Sequence, residues 1–504
     1  MTRTLAALIA SHGADTPAIG APGRDWLTFG GLRQLSTDIA TQLRGFGIGA
    51  TDRVAIVLPN GPEMAAAFVT IAQAAVTAPL NPAYQQAEYS FYLEDLRARA
   101  LVVPAAMTPR LPCRAPEHGH PAARGRPATP QAPSPQPPRR RTSACTNCRA
   151  EEPRDPAHLG HTSRQDRAAD AGQYRGSAQN ILTSLALTPA DRCLNVMPLF
   201  HIHGLIAAVS ASLAAGASVA CAPGFDALKF FSQMAEIKPT WYTAVPTMHQ
   251  AILSRAARNA ETIAANPLRF LRSSSASLPA QVMLELAATF NAPVIEAYGM
   301  TEATHQMACN PLPPRAQKPG SVGIAAGPLL RIAHEVENRL TDGTGEVVIS
   351  GPNVTPGYEG NPDANAKNFF MADGLRWFRT GDQGALDDEG YLRLTGRLKE
   401  IINRGGEKIS PLEVDGILLD HPAIQQVVAF AMPHPKLGEE VAAAVVLREG
   451  QTATEREIRD FCASRMADFK VPRRIVILDE IPKGATGKLQ RIGLAEKLGL
   501  GATA

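Results

Sequence analysis

The residues best suited to chemistry begin with the string Tyr298-Gly299-Met300-Thr301-Glu302, which follows the apolar run PVIEA. An aromatic ring offers a flat stacking surface, and the Thr301 hydroxyl and Glu302 carboxylate offer oxygen atoms for Mg²⁺ and for contacts with phosphate. We therefore interpret this string as a candidate nucleotide and metal contact. Taken alone, it also fits an ordinary strand end capped by a threonine.

Two further strings carry charged side chains next to glycines. Asp382 follows Gly381 in RTGD, and Arg397 follows Gly396 fifteen residues later. A carboxylate in a tight turn can accept hydrogen bonds from both hydroxyls of a ribose, and a guanidinium can donate to the same sugar or to phosphate. Lys488 ends the string PKGATGK near the C-terminal end. Each string alone also fits a turn ion pair or a solubilising lysine.

In this order and at this spacing, the three strings resemble the adenylate-forming superfamily of acyl-CoA synthetases, firefly luciferase and peptide-synthetase adenylation domains. The resemblance covers roughly residues 1–105 and 177–500. The strings most similar to the oxalate–CoA ligase branch are PLFHIHGL, TWYTAVPTMHQ, RSSSASLP, EAYGMTEATHQM, SGPNVTPGY and INRGGEKISPLEVD.

The resemblance implies an ATP-dependent acid–CoA ligase that forms an acyl-adenylate and then an acyl-CoA. ATP, Mg²⁺ and coenzyme A are the implied cofactor and co-substrates, and a small carboxylic acid is the partner. The implied acid is a short dicarboxylate such as oxalate. A fatty or aromatic acyl-CoA synthetase is the alternative within catalysis.

The resemblance also implies the residues that contact ATP and Mg²⁺. These are Tyr298, Thr301, Glu302, Asp382, Arg397 and Lys488. Lys488 matches the catalytic lysine between the carboxylate and the α-phosphate, and Thr301 and Glu302 match a phosphate contact and the magnesium-associated glutamate. Tyr298 matches the adenine-stacking position, while Asp382 and Arg397 match the ribose ligands.

A mobile small domain is a further implication of the resemblance. It predicts a large domain over residues 1–396 and a small one over residues 397–504, with a hinge at Lys399. Gly405 and Gly406 match the loop that approaches the pantetheine of coenzyme A.

His201 and the run Ser273–Ser277 match the wall of the acyl pocket, with Ser274, Ser275, Ala276 and Ser277 as the candidate substrate contacts. A pocket of hydroxyls and imidazole suits a short polar diacid, since buried polar groups left unpaired would penalise an alkyl chain. The serine run also fits an ordinary polar loop.

The elements that must position these residues alternate between strands and helices. We expect helices at Asn180–Leu187, Gly204–Ala215 and Phe225–Ile237, with extended segments at Cys193–Met197 and Ser218–Cys221. The fold class is an α/β large N-terminal domain of layered α/β subdomains with a small β-rich subdomain, followed by a smaller α+β C-terminal domain. The uncharged stretch 204–224 is too diluted by small residues to predict a membrane span.

Composition excludes several classes of protein. The 504 residues with 45% hydrophobic content exclude a disordered regulator, and a net charge of +3 gives no bias toward nucleic acid or an anionic membrane. Seven cysteines are too few for a disulfide framework, and the N-terminus lacks an export signal. We therefore expect a cytoplasmic protein without nucleic-acid or membrane partners.

The segment 108–176 departs from the family. Residues 108–170 contain 12 Pro and 11 Arg with almost no large apolar side chains, and we therefore expect residues 108–176 to be disordered. The lone Cys145–Cys148 pair lacks the second pair that a zinc site needs. The family's phosphate-binding loop, of the type TSGTTGxPK, should fall in this segment, but residues 156–167 read PAHLGHTSRQDR.

One choice of codons for residues 156–166, read one base later, gives PHTSGTPRGKT, which is similar to the missing loop. The same offset over residues 170–176 gives TQANIAG, a family-like lead into SAQNI. We hypothesise that residues 108–176 are translated out of frame or reflect a sequencing error. An inactive relic without the phosphate loop is therefore the alternative to an enzyme.

Overall fold

The computed structural model describes residues 9–105, 144–145, 171–484 and 488–501. The loop expected at 156–167, the side chains of Cys145 and Cys148, and residues 485–487 of PKGATGK lie outside the described residues.

The described strands are numbered in chain order. They are β1 (Pro17–Ala21), β2 (Arg24–Thr28), β3 (Arg53–Ile56), β4 (Val76–Pro79), β5 (Ala100–Val102), β6 (Ala144–Cys145), β7 (Arg192–Asn195), β8 (Ser218–Cys221), β9 (Trp241–Ala244), β10 (Phe270–Ser274), β11 (Val294–Met300), β12 (His305–Cys309), β13 (Ile324–Ala325), β14 (Leu329–Ala333), β15 (Leu340–Thr341), β16 (Thr344–Ser350), β17 (Phe369–Ala372), β18 (Leu375–Leu386), β19 (Leu392–Arg397), β20 (Ile402–Arg404), β21 (Glu407–Ile409), β22 (Ile424–His434), β23 (Gly438–Leu447) and β24 (Arg474–Ile477).

The described α-helices are numbered in the same way. They are α1 (Phe29–Gly45), α2 (Pro62–Ile71), α3 (Gln86–Asp95), α4 (Ala171–Ser184), α5 (Ala211–Ala214), α6 (Phe230–Ile237), α7 (Pro246–Ala256), α8 (Ala260–Ala265), α9 (Ala280–Phe290), α10 (Pro362–Asn368), α11 (Pro411–Leu419), α12 (Glu455–Ala463) and α13 (Leu494–Lys497). A π-helix spans His203–Ser210, and short 3-10 helices span Ala257–Asn259, Thr301–Ala303 and Asp468–Lys470.

A nine-stranded sheet forms the centre of the large domain, in the order β13-β12-β11-β10-β9-β7-β8-β1-β2. Each neighbouring pair in the run β11-β10-β9-β7-β8-β1 is parallel, and β12 pairs antiparallel with β11. Neighbouring residues of β7 pack in different cores, Cys193 with α1, α2 and α4 and Leu194 with α6, α7 and α9. Because successive side chains of a strand point to opposite faces, helices cover both faces of this sheet.

Two smaller sheets complete the large domain. A four-stranded sheet has the order β4-β3-β5-β6, and a six-stranded sheet joins β14 to β19. Phe378 of β18 and Val347 of β16 share a buried cluster with Tyr298 at the end of β11. This packing brings the β-rich subdomain against the carboxyl end of the parallel sheet.

The small domain contains a five-stranded sheet of β20 to β24. Its core includes Val414 of α11, Ile458 of α12 and Val441 of β23. Together with the large domain, these layers confirm the expected fold class. The expected boundary at 396/397 falls within the last two residues of β19.

Part of the expected disordered segment is ordered. Residues 171–176 form the start of α4, nine residues before the expected helix start. Gln173 Nε2 donates to Val354 O over 3.2 Å, and the Tyr174 ring meets Phe68 edge-on at 5.5 Å. Disorder is therefore the wrong expectation for residues 171–176, because their few bulky side chains are buried. Ala144–Cys145 also pairs with β5, while the rest of 108–170 lies outside the described residues.

The uncharged stretch 204–224 folds as the π-helix, α5 and β8, all buried in the large domain. None of the helices in the described parts of the chain has both the length and the apolar character required to cross a membrane.

Candidate active site

Tyr298 lies at the carboxyl end of β11, beside the antiparallel strand β12. At Gly299 a Cβ would come within 1.9 Å of His305 O, so only glycine permits this approach of the two strands. The strand end then turns through the 3-10 helix Thr301–Ala303. Thr304 and His305 follow with φ of +50° and +106°. Such backbone strain in residues with side chains concentrates at functional sites.

Asp382 links three of the expected ATP contacts. The Tyr298 hydroxyl donates to Asp382 Oδ2 over 2.5 Å, and Arg397 Nε lies 3.2 Å from Asp382 Oδ1. Asp382 and Arg397 are register partners in the β18–β19 pair, so the sheet itself places them opposite each other. The Asp382 charge raises the pKa of Arg397, which is therefore a permanent cation beside a buried carboxylate.

Glu302 lies in the 3-10 helix and is 6% exposed. Its Oε1 accepts a hydrogen bond from the Tyr358 hydroxyl over 3.0 Å. Burial raises the pKa of Glu302, and this bond and Arg397 oppose the increase. Thr301, half-buried at the start of the same turn, precedes it.

The chemistry of these donors fits Mg²⁺ bound together with a nucleotide. In the described part of the chain, no group of three or more His, Cys, Asp or Glu could hold a metal ion by itself. Mg²⁺ typically takes one or two carboxylates and completes its shell with water and substrate phosphates. Glu302 could therefore supply the protein ligand, with the phosphates supplying others.

Lys488 reaches the same cluster from the small domain. Burial and then the Arg397 charge lower the pKa of Lys488 to about 8, against the opposing effect of the Asp382 charge. Lys488 also acts electrostatically on His201, His203 and His305. The expected catalytic lysine and the expected ribose carboxylate therefore share one cleft.

A cavity of about 580 Å³ lies between the two domains. The large domain contributes Ala276 and Ser277 to its wall, and the small domain contributes Lys488 and Arg491. The expected acyl loop and the expected catalytic lysine thus line one space.

The residues expected in the acyl pocket lie near the π-helix and at the end of β10. The backbone N–H of His203 donates to His201 Nδ1 over 3.2 Å, so the neutral ring carries its proton on Nε2. Burial and the Lys488 charge lower the pKa of His201 to about 3. Ser275 is half-buried with φ of +77°, whereas the hydroxyl of buried Ser274 donates to Ala297 O over 2.8 Å. Of the expected acyl contacts, Ala276 and Ser277 line the 580 Å³ cavity, whereas His201, Ser274 and Ser275 do not.

Three fully or almost fully buried residues of this region were absent from the sequence prediction: His203, Arg272 and His305. His203 Nδ1 lies 3.0 Å from Ser275 Oγ, and its ring centre lies 5.5 Å from that of His305. His203 and His305 fall inside the strings PLFHIHGL and EAYGMTEATHQM, which was the available signal. Arg272 is the first residue of the string RSSSASLP, so the same signal was available for it.

The expected hinge and the glycine loop lie away from the cavity wall. Lys399 is in the turn after β19, where Glu400 N donates to Arg397 O over 2.8 Å. Gly405 and Gly406 form the β20–β21 turn with φ of +59° and +98°. Neither glycine lines the 580 Å³ cavity.

Comparison with known families gives a match over most of the chain. The model described as AMP-binding enzyme matches residues 7–164 and 171–359, and the model described as AMP-binding enzyme C-terminal domain matches residues 413–488. The first match runs through residues 108–164, where the phosphate-loop motif is missing.

Curated relatives match over similar lengths. The chain is 42% identical to an oxalate–CoA ligase of Arabidopsis thaliana, covering 96% of this chain and 96% of the relative. It is 39% identical to an oxalate–CoA ligase of Saccharomyces cerevisiae, covering 88% and 86%. Among solved structures, ATP-bound MatB from Rhodopseudomonas palustris superposes with a TM-score of 0.80 at 24% identity, covering 99% of each chain. That structure supports the fold.

Proposed function

This chain is an ATP-dependent acid–CoA ligase that belongs to the AMP-binding enzyme family, and from that premise we propose that its acid substrate is oxalate. The observation that carries the proposal is the polar wall of the acyl pocket. His201 presents an Nε2–H donor close enough to Lys488 for that charge to lower its pKa, and Ser277, two residues after Ser275, lines the cavity together with Lys488. Two relatives named as oxalate–CoA ligases support the same substrate.

In the first step, a carboxylate oxygen of the acid attacks the α-phosphorus of ATP, and pyrophosphate leaves. Two anions must approach each other, so fixed positive charge near the reacting phosphorus lowers the barrier. We assign this role to Lys488, whose amine is protonated below its pKa of about 8. Its half-buried position strengthens its field because less water screens it than at an exposed site.

The nucleotide would be held by the cluster at the end of β11. Asp382 and Arg397 would take the ribose hydroxyls, Tyr298 would stack on the adenine, and Thr301 would donate to phosphate. Mg²⁺, when bound, would neutralise charge on the leaving pyrophosphate, with Glu302 as its protein ligand. Support comes from the burial of Glu302 and Asp382 and from the Tyr298–Asp382 hydrogen bond.

The second step, attack by the thiol of coenzyme A on the acyl-adenylate with release of AMP, requires Lys488 to leave the cleft. We propose that the small domain rotates about Lys399 relative to the large domain, while Arg397, which precedes the hinge, keeps its place beside Asp382. Gly405 and Gly406 would then approach the pantetheine, where their missing side chains leave room for the thiol. The turn conformation around Lys399 and the positive φ of both glycines support this proposal.

A fatty or aromatic acid is disfavoured by the same wall. An alkyl chain would leave the His201 and Ser275 donors unpaired, which costs roughly 1–3 kcal/mol for each buried polar group. In this proposal the acid contacts His201, Ser275, Ala276 and Ser277. The Ser274 hydroxyl instead donates to the backbone of β11.

Pyrophosphate release tests the substrate when oxalate, malonate, octanoate and coumarate are compared. We expect kcat/KM for oxalate to exceed that for octanoate and coumarate by at least ~100-fold, since the free-energy costs of several unpaired hydrogen-bond donors add together. Malonate serves as the matched diacid that is one methylene longer. Equal or better use of octanoate or coumarate would overturn the oxalate assignment.

We further propose a cytoplasmic location. Cys193, Cys221, Cys309 and Cys462, the four cysteines whose side chains the structure describes, are buried free thiols, as is usual in a reducing compartment. Fractionation of cells that produce the chain would test this location.

A further inference from the structure

Arg272 presents a buried cation without the usual anionic partner. Arg272 is 0% exposed in the middle of β10, and none of the ion pairs among the described residues includes it. Buried guanidinium groups are normally paired with a carboxylate, because an unpaired buried charge is costly. None of the catalytic or binding roles proposed above involves Arg272, so the presence of a buried cation at this position needs another explanation.

The partners of Arg272 are both neutral acceptors. Its Nη1 lies 3.4 Å from His203 Nε2, and its Nη2 lies 3.4 Å from Gln306 Oε1. The Gln306 amide cannot be turned round, since its Nε2 donates to Ala326 O over 3.1 Å and to Ser184 Oγ over 3.0 Å. Arg272 is therefore held with one N–H group facing the His203 ring.

An arginine can only donate hydrogen bonds, so His203 Nε2 must act as an acceptor. The Thr243 hydroxyl, 2.6 Å from the same nitrogen, can also donate to it. Burial and then the Arg272 charge lower the pKa of His203 well below its ordinary value, which keeps the ring neutral. A neutral ring that accepts at Nε2 carries its single proton on Nδ1.

That proton then determines the orientation of Ser275. His203 Nδ1 lies 3.0 Å from Ser275 Oγ, so the ring donates and the serine oxygen accepts. The hydroxyl hydrogen of Ser275 is left to point elsewhere. Ser275 does not line the 580 Å³ cavity itself but directly precedes Ala276 and Ser277, which line it together with Lys488, so this hydrogen can face the space in which we propose that the acid binds.

We infer that Arg272 is a positioning residue for the acid substrate: through the tautomer of His203 it makes the Ser275 hydroxyl a hydrogen-bond donor to the second carboxylate of the acid. This inference rests on the proposed function, because only an acid with a second anionic group needs that donor. Without Arg272, His203 could carry its proton on Nε2 and donate to Thr243. The Ser275 hydroxyl would then donate its hydrogen bond to His203 Nδ1 and could not donate to the acid.

The first test is a direct measurement of the tautomer. We would record imidazole ¹⁵N spectra of the full chain without any acid and assign the His203 signal with a His203→Gln variant. The expected result is a proton on Nδ1. A proton on Nε2 in the unchanged protein overturns the inference, and this measurement does not depend on whether any Arg272 variant folds.

The second test is a double-mutant cycle read out as the dissociation constant of oxalate, measured by calorimetry in the presence of AMP. Arg272→Met should weaken oxalate binding by about ten-fold to a hundred-fold, the range of a hydrogen bond to a charged group. In a Ser275→Ala background, Arg272→Met should weaken oxalate binding only slightly further, because the Ser275 hydroxyl donor is already absent. Additive losses in the two backgrounds would contradict the inference.

Two controls separate positioning from stability. Arg272→Lys keeps an obligate donor and should recover part of the oxalate affinity. Arg269→Met removes the neighbouring arginine, which pairs with Asp191 over 3.0 Å, and should lower stability without changing the oxalate dissociation constant. If malonate binds and reacts better than oxalate, the substrate proposal fails, while the Nδ1 proton in the acid-free protein still supports the role of Arg272.

Discussion

Arg397 faces Asp382 across the β18–β19 pair, with Arg397 Nε 3.2 Å from Asp382 Oδ1 and the Tyr298 hydroxyl on the other carboxylate oxygen. A single carboxylate thus organises an aromatic ring and a cation at the carboxyl end of the parallel sheet. Ligands of open α/β sheets bind at that edge. The pair is therefore the anchor point of the nucleotide in our proposal.

Substitution of this carboxylate should weaken nucleotide binding. Asp382→Asn keeps the shape but removes the charge, so we expect KM for ATP to rise by ten-fold or more, as for the loss of about 1.5–3 kcal/mol in a charge-assisted hydrogen bond. ATP–pyrophosphate exchange measures the effect. Glu389→Gln, in the exposed turn of the same hairpin, is the control and should leave KM for ATP unchanged.

The pH dependence of adenylation should report Lys488. Its pKa is lowered to about 8, so the amine is cationic below pH 8 and loses its charge as the pH rises through that value. We expect kcat/KM for ATP, which reflects the free enzyme, to fall above a pH of about 8. A profile that stays flat to pH 9.5 would show that this amine carries no catalytic charge.

Removal of the same amine should abolish the first step. Lys488→Ala is expected to lower the rate of acyl-adenylate formation by about 100-fold or more, the magnitude of lost electrostatic stabilisation in an enclosed site. Lys483→Ala is the matched control, since Lys483 lies on the same segment but pairs with Glu480 over 2.7 Å. Equal activity of the two variants would mean that the catalytic lysine is misplaced.

The requirement for Mg²⁺ should depend on Glu302. Glu302→Gln retains an oxygen that can accept from Tyr358 but lacks the charge that binds the ion. We expect the Mg²⁺ concentration for half-maximal exchange to rise about ten-fold. Glu261→Gln, at an exposed position in α8, should behave as the unchanged chain does. An unaltered Mg²⁺ titration of Glu302→Gln would remove this residue from the metal site.

Much of this arrangement could be predicted from the sequence because its residues occur in short strings. Helix α6 ends at Ile237 and β8 spans Ser218–Cys221, both as the periodicity predicts. The strings around Tyr298 and Asp382 also identify neighbours that the fold then brings into contact. Local sequence patterns predict both structure and site residues well where a short motif lies within or at the end of a single helix or strand.

The buried polar cluster could not be predicted in this way. His203, Arg272 and Gln306 come from the π-helix, β10 and β12, and only the parallel sheet brings them together. A π-helix at His203–Ser210 also has no simple periodic signature, so the pattern predicts an ordinary helix there. Ser274 was expected in the pocket, but as the last residue of β10 it bonds to β11 instead.

The last prediction concerns the missing phosphate loop and decides between an active ligase and a relic. Backbone N–H groups and hydroxyls of such a loop stabilise the leaving pyrophosphate, and one donor of this kind contributes about 3 kcal/mol. We expect ATP–pyrophosphate exchange by the chain as printed to be at least ~100-fold slower than exchange by a chain with PHTSGTPRGKT at residues 156–166. A matched replacement, PHTSATPRAKT, removes the two glycines and should not restore exchange. Full exchange by the printed chain would exclude the relic, and a gene whose codons 100–180 encode no such loop in any frame would end the frameshift hypothesis.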